Sequence, residues 1–179
     1  AGLLGLEWRG YKVEKVLGKG GMGAVYKAVQ TSLRRKVALK VMLRGQGQAA
    51  PGERERFERE AKLVAKLNHS NIVPIYDASW GEDLCYFTME LVNGQDMKAL
   101  LRSGTSPIRR GAAIVAKAAR AMDFAHKKGV IHRDLKPQNI MIAEESGEPK
   151  ILDFGLAKQI TKTPGQTEEQ QLTQMGAFL

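Results

Sequence analysis

Cysteine, aromatic residues and long apolar runs are all scarce in this sequence. One cysteine, Cys85, stands in 179 residues, so no disulfide framework can form, and its apolar neighbours Leu84 and Tyr86 predict a small buried residue. No run approaches the ~18 consecutive apolar residues of a membrane span. The first ten residues lack the basic and apolar regions of a signal peptide. We therefore expect a cytoplasmic chain with no membrane segment of its own, either alone or as the cytoplasmic part of a longer membrane-anchored protein.

Positive charge, in contrast, is in surplus. Lys and Arg number 28 against 19 acidic residues, a formal net charge of +9 at pH 7, and a basic face can gather phosphates. The basic residues alternate with acids, as in ERERFEREAK from Glu53 to Lys62, and no aromatic-studded stripe or zinc-ligand spacing accompanies them. We therefore expect no nucleic-acid partner.

Periodicity predicts a strand-rich first part and a helical second part. The predicted strands are 11–17, 24–29, 36–42, 72–76 and 84–91, and the predicted helices are 53–67, 96–101 and one that runs from Pro107 to Lys128. The predicted apolar face of that last helix consists of Val115, Ala118, Met122 and Ala125. Residues from 159 onward are rich in Thr and Gln, and we expect a mobile loop there.

A glycine-rich motif follows the first predicted strand. GKGGMG places Gly18, Gly20 and Gly23 in the spacing G-x-G-x-x-G, and glycines there let main-chain N–H groups approach phosphates. A dinucleotide fold needs a helix after these glycines, whereas the following AVYKAV is β-prone. The motif therefore predicts a strand–loop–strand hairpin, which on its own could equally be a tight turn without a ligand.

Lys40 lies in VALK on the third predicted strand. The period of two places Ala38 and Lys40 on one face, opposite Val37. A lone lysine on a strand is usually solvated, but at a phosphate site its extended position needs an anionic partner. Glu60, at the edge of the apolar face of the 53–67 helix, is the expected partner.

Two motifs with charged residues carry the strongest functional signal. HRDLKPQN begins at His132, and DFG begins at Asp153. A carboxylate near a hydroxyl can take its proton, and an amide with a second carboxylate can supply oxygen ligands to Mg²⁺. Asp134, Asn139 and Asp153 are that predicted set, while His132 and Phe154 are expected to pack rather than react.

The chain resembles the protein kinase family in five features and in their order: GKGGMGAV, VALK, the helical Glu60, HRDLKPQN and DFG. It most resembles the bacterial serine/threonine kinases of eukaryotic (Hanks) type. The resemblance covers nearly the whole chain. It implies an α+β, two-lobed kinase fold, with residues 1–92 forming a lobe of five strands and a helix through the hinge, and 93–179 an incomplete second lobe. Because no A-P-E motif follows and residue 1 is not methionine, we expect a piece of a longer polypeptide.

The resemblance also implies a role for each catalytic residue. ATP and Mg²⁺ would be the cofactors, and the γ-phosphoryl group would pass to serine or threonine hydroxyls of protein substrates. Lys40, paired with Glu60, would hold the α- and β-phosphates. Asp134 would deprotonate the hydroxyl, and Lys136 would stabilise the transferring phosphoryl group and favours serine or threonine acceptors. The metal ligands would be Asn139 and Asp153.

The resemblance places the nucleotide base between the two lobes. The residues implied in nucleotide contact are Leu17, Gly18, Gly20, Gly23, Val25, Ala38, Lys40, Glu90, Val92 and Met141, with Met89 as the gatekeeper. The hinge is Glu90-Leu91-Val92, whose main chain would hydrogen-bond the adenine edge.

Arg133 beside Asp134 resembles the arginine of kinases that are phosphorylated on the activation loop, because a guanidinium can pair with a phosphothreonine. Thr173 is the expected site, with Thr161, Thr163 and Thr167 as alternatives, and autophosphorylation would be the source. Two other functions stay open from the residues: a kinase-like scaffold that binds nucleotide without transfer, and a small-molecule phosphotransferase of similar fold.

Overall fold

A computed structural model describes residues 3–20, 23–43, 52–81, 84–104 and 107–154, which form two antiparallel sheets and three α-helices. The larger sheet contains β1 (Glu7–Trp8), β2 (Tyr11–Gly20), β3 (Gly23–Gln30), β4 (Arg35–Leu43), β5 (Ile75–Trp80) and β6 (Leu84–Glu90), in the spatial order β1-β2-β3-β4-β6-β5. The smaller sheet contains β7 (Gly94–Asp96), β8 (Ile140–Ala143) and β9 (Pro149–Ile151), in that order. The helices are α1 (Glu53–Ala65), α2 (Met97–Arg102) and α3 (Ile108–Lys127), and a short 3-10 turn spans Pro137–Asn139.

Alternation along β4 sends its side chains into two separate apolar clusters. Val37 and Leu39 are buried on the outer face of the larger sheet, whereas Ala38 lies in the cluster on the inner face, together with Phe57 of α1. This is the consequence of a period of two in a strand that is covered on both sides. Lys40 therefore lies on the inner face, as predicted. Cys85 is fully buried in the inner cluster, also as predicted.

The predicted strand 72–76 is displaced along the chain in the structure, where β5 begins at Ile75 and continues to Trp80. The residues before β5 contact the smaller sheet instead. Ile72 forms a parallel bridge with Ile151, and the N–H of Val73 donates to the carbonyl of Ile151 at 3.0 Å. One apolar run thus serves two sheets, which periodicity alone does not reveal. The structure also adds β1, which is too short to produce a strand signal.

The two predicted helices of the second part both form, with one correction to the buried face. Asp96 lies just outside α2 as its N-cap and accepts a hydrogen bond from the N–H of Ala99 at 2.8 Å. On α3, Val115 is 52% exposed, and Ile114 is buried in its place. The buried stripe passes through Ile114, Ala118, Ala121, Met122 and Ala125, which share one side of a 3.6-residue helix.

Two sequence predictions find no test in this architecture. The expected mobile loop from residue 159 onward lies outside the described residues. The division of the chain at residues 92 and 93 stays a prediction. Within the described ranges, no helix has both the length and the apolarity that crossing a bilayer would require.

Candidate active site

A row of paired residues crosses the inner face of the larger sheet. Gly18 on β2 pairs with Val25 on β3. Val25 pairs with Lys40 on β4, and Lys40 pairs with Phe87 on β6. Directly opposed residues in antiparallel strands point to the same face. The row therefore places the glycine motif beside Lys40, and the motif lies in a β2–β3 hairpin, as predicted, rather than before a helix.

The glycines of the motif differ in what requires them. Gly23 has a φ of 143°, and a Cβ there would collide with the carbonyl oxygen of Val41 on β4. A Cβ on Gly18 or Gly20 would meet no atom within 4 Å. Of these three glycines, only Gly23 is required by packing within the described residues. The open space at Gly18 and Gly20 is where main-chain groups can approach a phosphate closely.

Lys40 forms an ion pair with Asp153, which is 113 positions further along the chain. The Nζ of Lys40 lies 2.6 Å from Oδ2 of Asp153, and the two side chains are 17% and 25% exposed. Asp153 has a φ of 57°, an uncommon value for a residue other than glycine. Its second oxygen, Oδ1, is buried and accepts no hydrogen bond from the described residues. A buried acceptor in this state is costly unless a cation or a donor reaches it.

The predicted ion pair between Lys40 and Glu60 is not formed in the described part of the chain. The carboxylate of Glu60 instead accepts hydrogen bonds from Nη1 of Arg133, at 2.9 Å and 3.1 Å for its two oxygens. Arg133 has a φ of 61°, so its backbone also occupies the left-handed region. The physical reason is that each residue pairs with another opposite charge. Arg133 pairs with the carboxylate of Glu60, and Asp153 pairs with the ammonium group of Lys40.

Asp134 is surrounded by the polar residues that follow it in HRDLKPQN. The Nζ of Lys136 lies 2.8 Å from Oδ2 of Asp134. The Nδ2 of Asn139 donates to the main-chain oxygen of Asp134 at 2.8 Å and to its Oδ2 at 3.3 Å. Asn139 is 7% exposed, so this amide is held in place by its surroundings. The turn thus brings a carboxylate, an ammonium group and an amide together.

His132 ties the turn of Asp134 to the segment that carries Asp153. Its ring is 3% exposed and lies 4.8 Å, centroid to centroid, from the ring of Phe154. The N–H of Asp134 donates to Nδ1 of His132 at 3.3 Å, and Nε2 lies 2.7 Å from the carbonyl oxygen of Leu152. Both contacts are satisfied by the neutral ring with its proton on Nε2. His132 and Phe154 therefore pack, as predicted, and burial lowers the pKa of His132.

Acidification is expected to destabilise the fold through His132. Since the pKa of His132 is lowered only in the folded chain, the unfolded chain takes up the proton first as the pH falls through about 6.5. The free energy of unfolding is therefore highest above that pH and declines below it, until the pH reaches the lowered pKa of the folded state. Thermal unfolding followed from about pH 7.5 to pH 5 measures this decline. The decline should be smaller in His132→Gln than in the parent.

His126→Gln is the matched control for that experiment, because His126 is exposed on α3. It should show the same dependence of stability on pH as the parent. An unchanged dependence in His132→Gln would contradict the assignment of the effect to His132.

Residues 11–175 match the family model described as the protein kinase domain. The chain belongs to the protein kinase domain family. The two-lobed α+β kinase fold implied by the sequence is thereby confirmed for the part of the domain that this chain contains, and the row at Lys40 and the turn at Asp134 lie in that domain.

The relatives of this chain are bacterial serine/threonine kinases, which confirms the resemblance drawn from the motifs. The chain is 38% identical over 162 residues to the serine/threonine-protein kinase PknA of Mycobacterium tuberculosis, an alignment that covers 86% of this chain and 37% of PknA. It is 45% identical over 156 residues to the serine/threonine-protein kinase pkn3 of Myxococcus xanthus, covering 83% of this chain and 28% of pkn3. The chain thus spans well under half the length of these curated relatives.

A solved structure supports the fold independently. The crystal structure of the Mycobacterium tuberculosis PknI kinase domain superposes with a TM-score of 0.76 at 30% sequence identity. The superposition covers 87% of this chain and 64% of that chain. The described residues are therefore arranged as in a kinase domain of known structure.

The residues predicted to contact the nucleotide base belong to both sheets and to the hinge between them in the sequence. Ala38 pairs with the predicted gatekeeper Met89 across β4 and β6, and both are nearly buried. Met141 is half-buried on β8 in the smaller sheet. Among the described residues, no hydrogen bond uses the main-chain N–H of Leu91 or Val92. Leu17 is 48% exposed.

The predicted magnesium ligands fit a divalent cation chemically. Mg²⁺ is usually held through one or two protein oxygens together with substrate phosphates, rather than by a full set of protein ligands. The described residues contain no cluster of three or more His, Cys, Asp or Glu side chains suited to a metal. Asp153, whose Oδ1 has no hydrogen-bond partner among the described residues, and Asn139 contain a carboxylate and an amide oxygen, the donor types that Mg²⁺ accepts. The N–H of Leu152 donates to the carbonyl of Asn139 at 2.9 Å and thereby joins the two segments.

Sequence reasoning missed one residue near the hinge. Lys150 on β9 lies 3.3 Å from the carboxylate of the hinge residue Glu90. Alternation along β9, where Pro149 and Ile151 are buried, could have assigned Lys150 to the opposite face. The distance from Lys150 to Glu90 could not have been read from either segment.

Proposed function

We propose that the protein containing this chain transfers the γ-phosphoryl group of ATP to serine or threonine hydroxyls of other proteins. The observation that carries the proposal is the group of side chains around Asp134. Lys136 and Asn139 both place a nitrogen within 3.3 Å of Oδ2 of Asp134. His132 holds this turn against the segment of Asp153. The similarity to PknA and pkn3, both named serine/threonine-protein kinases, supports the same class of acceptor.

Asp134 is the proposed general base. The hydroxyl oxygen of the substrate forms a bond to the γ-phosphorus while its proton passes to a carboxylate oxygen of Asp134, and the bond from that phosphorus to the bridging oxygen of ADP breaks. Lys136 lies 2.8 Å from Asp134, so its ammonium group can offset negative charge on the transferring group. The turn therefore contains both the proton acceptor and a stabilising cation.

Lys40, Asn139 and Asp153 are proposed to bind the phosphate end of the nucleotide. Asn139 and Asp153 would hold Mg²⁺, which supplies neutralisation of the phosphate charge when bound. Asp153 would offer its Oδ1 to the cation, while its Oδ2 contacts Lys40. The ammonium group of Lys40 would face the α- and β-phosphates on the sheet face that it shares with Val25 and the glycine motif.

Arg133 is proposed to link phosphorylation to the position of Glu60. A phosphate on Thr173, carrying about −1.5 to −2 charges at pH 7, would compete with the carboxylate of Glu60 for the guanidinium of Arg133. When the guanidinium of Arg133 binds the phosphate instead, the carboxylate of Glu60 could pair with the ammonium group of Lys40. Autophosphorylation is the proposed source of the phosphate. The candidate threonines, Thr161, Thr163, Thr167 and Thr173, lie outside the described residues.

The proposed partners are proteins with serine or threonine acceptors, and the proposed location is the cytoplasm, where ATP is available. No nucleic-acid partner is proposed, because the basic residues alternate with acids along the sequence.

The experiment that tests the function is transfer of labelled γ-phosphate from Mg-ATP to a mixed casein acceptor by the complete polypeptide. Asp134→Asn is measured in parallel, and the labelled acceptor is hydrolysed to separate the phosphorylated amino acids. We expect phosphoserine or phosphothreonine from the parent, and label in the kinase itself that mass spectrometry locates at Thr173. ATP binding by a folded parent without any transfer would favour the nucleotide-binding scaffold. Transfer to small molecules alone would favour a small-molecule phosphotransferase.

A further inference from the structure

A junction of three segments joins the two sheets directly behind the hinge. The N–H of Ile151 on β9 donates to the carbonyl of Asn71 at 2.8 Å, and the N–H of Val73 donates to the carbonyl of Ile151 at 3.0 Å. The N–H of Glu90, the last residue of β6, donates to the carbonyl of Pro74 at 3.2 Å. The segment 71–74 is therefore bonded through its main chain to β9 on one side and to the start of the hinge on the other.

The ion pair between Lys150 and Glu90 completes this junction through side chains. The Nζ of Lys150 lies 3.3 Å from both carboxylate oxygens of Glu90. The two side chains are 21% and 33% exposed, so the pair is partly shielded from solvent. Contacts of this kind are weaker than buried pairs, but they restrain a side chain whose backbone is already held. Lys150 thus connects the smaller sheet to the hinge across the space between the sheets.

Lys150 also lies on the side of the smaller sheet that faces the expected base site. It pairs directly with Met141 across β8 and β9, and opposed residues in antiparallel strands share a face. The neighbouring pair, Ile140 with Ile151, is buried on the other face. The stem of Lys150 and the side chain of Met141 therefore lie side by side, and the ammonium group reaches the hinge beyond them.

We propose that Lys150 is a positioning residue for the nucleotide base: its ion pair with Glu90 fixes the orientation of the hinge peptide that meets the adenine edge. The proposal rests on the proposed kinase function, since it assigns a role at the same nucleotide site. Lys150 acts through Glu90 and does not touch the reacting groups around Asp134. Its loss should therefore weaken binding of the base and leave the transfer step largely intact.

Loss of Lys150 should change KM more than kcat, and it should change the affinity for ATP more than the affinity for inosine triphosphate. Lys150→Met in the complete polypeptide should raise the KM for ATP about two- to fivefold, the range expected for a partly exposed ion pair, with kcat changed by less than about twofold. Inosine triphosphate lacks the 6-amino donor of adenine, so it does not use the hinge carbonyl in the same way. Its dissociation constant should rise less, and the preference of the protein for ATP over inosine triphosphate should fall.

Three further variants make the test specific. Glu90→Gln should reproduce the effect of Lys150→Met, and the exchanged pair Glu90→Lys with Lys150→Glu should restore much of the affinity for ATP. Lys127→Met is the control, because Lys127 forms an exposed ion pair with Asp123 on α3 and neither residue belongs to the junction. It should leave both nucleotide affinities unchanged.

Nucleotide affinity is measured by titration in the absence of acceptor, so the outcome for Lys150 does not depend on transfer. Unchanged affinity for ATP in Lys150→Met, or an equal loss of affinity for ATP and inosine triphosphate, would overturn the positioning role. Failure of the exchanged pair to recover affinity while Glu90→Gln behaves like the parent would also overturn it. Absence of transfer by the parent, with the nucleotide pattern as expected, would refute the kinase function and leave the role of Lys150 in base binding standing.

Discussion

Asp134→Asn is expected to lower phosphoryl transfer by about 10²- to 10⁴-fold, the usual contribution of a positioned general base. The substitution keeps the size of the side chain and one acceptor oxygen, so the contacts from Lys136 and Asn139 can be retained in part. An amide cannot accept the hydroxyl proton. The dissociation constant for ATP should change by less than about twofold, because the substitution leaves the nucleotide-contacting residues in place. Single-turnover transfer and nucleotide titration measure the two quantities separately.

Asp123→Asn is the appropriate control for that variant. Asp123 is an exposed aspartate on α3 that pairs with Lys127 of the same helix at 2.7 Å. It loses the same charge and should transfer phosphate at the rate of the parent. Transfer by Asp134→Asn above about a tenth of the parent rate would contradict the role of Asp134 as the base.

Lys40→Met is expected to lower kcat/KM by about 10²- to 10³-fold, the range found when one preorganised charge-stabilising donor is removed. The methionine keeps an apolar stem of similar length beside Phe87 but lacks the ammonium group. The structure adds a second consequence, since Asp153 then loses the partner of its Oδ2 while its Oδ1 is already without a donor among the described residues. The free energy of unfolding should therefore also fall slightly, and denaturant titration can measure this decrease.

Lys36→Met separates this effect from a general loss of positive charge. Lys36 is exposed on the same strand and, by the period of two, on the same face as Lys40. Its substitution should change neither kcat/KM nor stability by more than about twofold. If Lys40→Met retained the activity of the parent, Lys40 would have no role in positioning phosphates.

The contacts of Lys40 and Glu60 show why the site was only partly predictable. The sequence indicated that Lys40 would need an anionic partner at a phosphate site, and Glu60 was the expected one. It could not indicate that Arg133 binds Glu60 and that Asp153 binds Lys40. The four charges lie on α1, β4 and the two motif segments, and the packing of these elements decides which of them pair. The exchange proposed for phosphorylated Thr173 follows from this arrangement.

The fold, like the site, was only partly predictable from the sequence. The β2–β3 hairpin and the division of side chains along β4 were predictable, because glycine spacing and alternation are local properties of the chain. The displacement of β5 and the exposure of Val115 were not. In both cases the chain contains more apolar residues than one face can bury, and packing against a distant segment selects which of them are covered.

The sequence by itself determined the chemical groups of this protein and their local order: the phosphate-approaching glycines, the strand lysine, and the carboxylates and amide of the two motifs. Only the tertiary structure decided which of these groups touch. Asp153 reaches Lys40 across 113 positions, and Lys150 reaches the hinge at Glu90 across 60. Local patterns specify backbone geometry over a few residues, whereas an ion pair forms between whichever opposite charges the packed elements bring within about 4 Å.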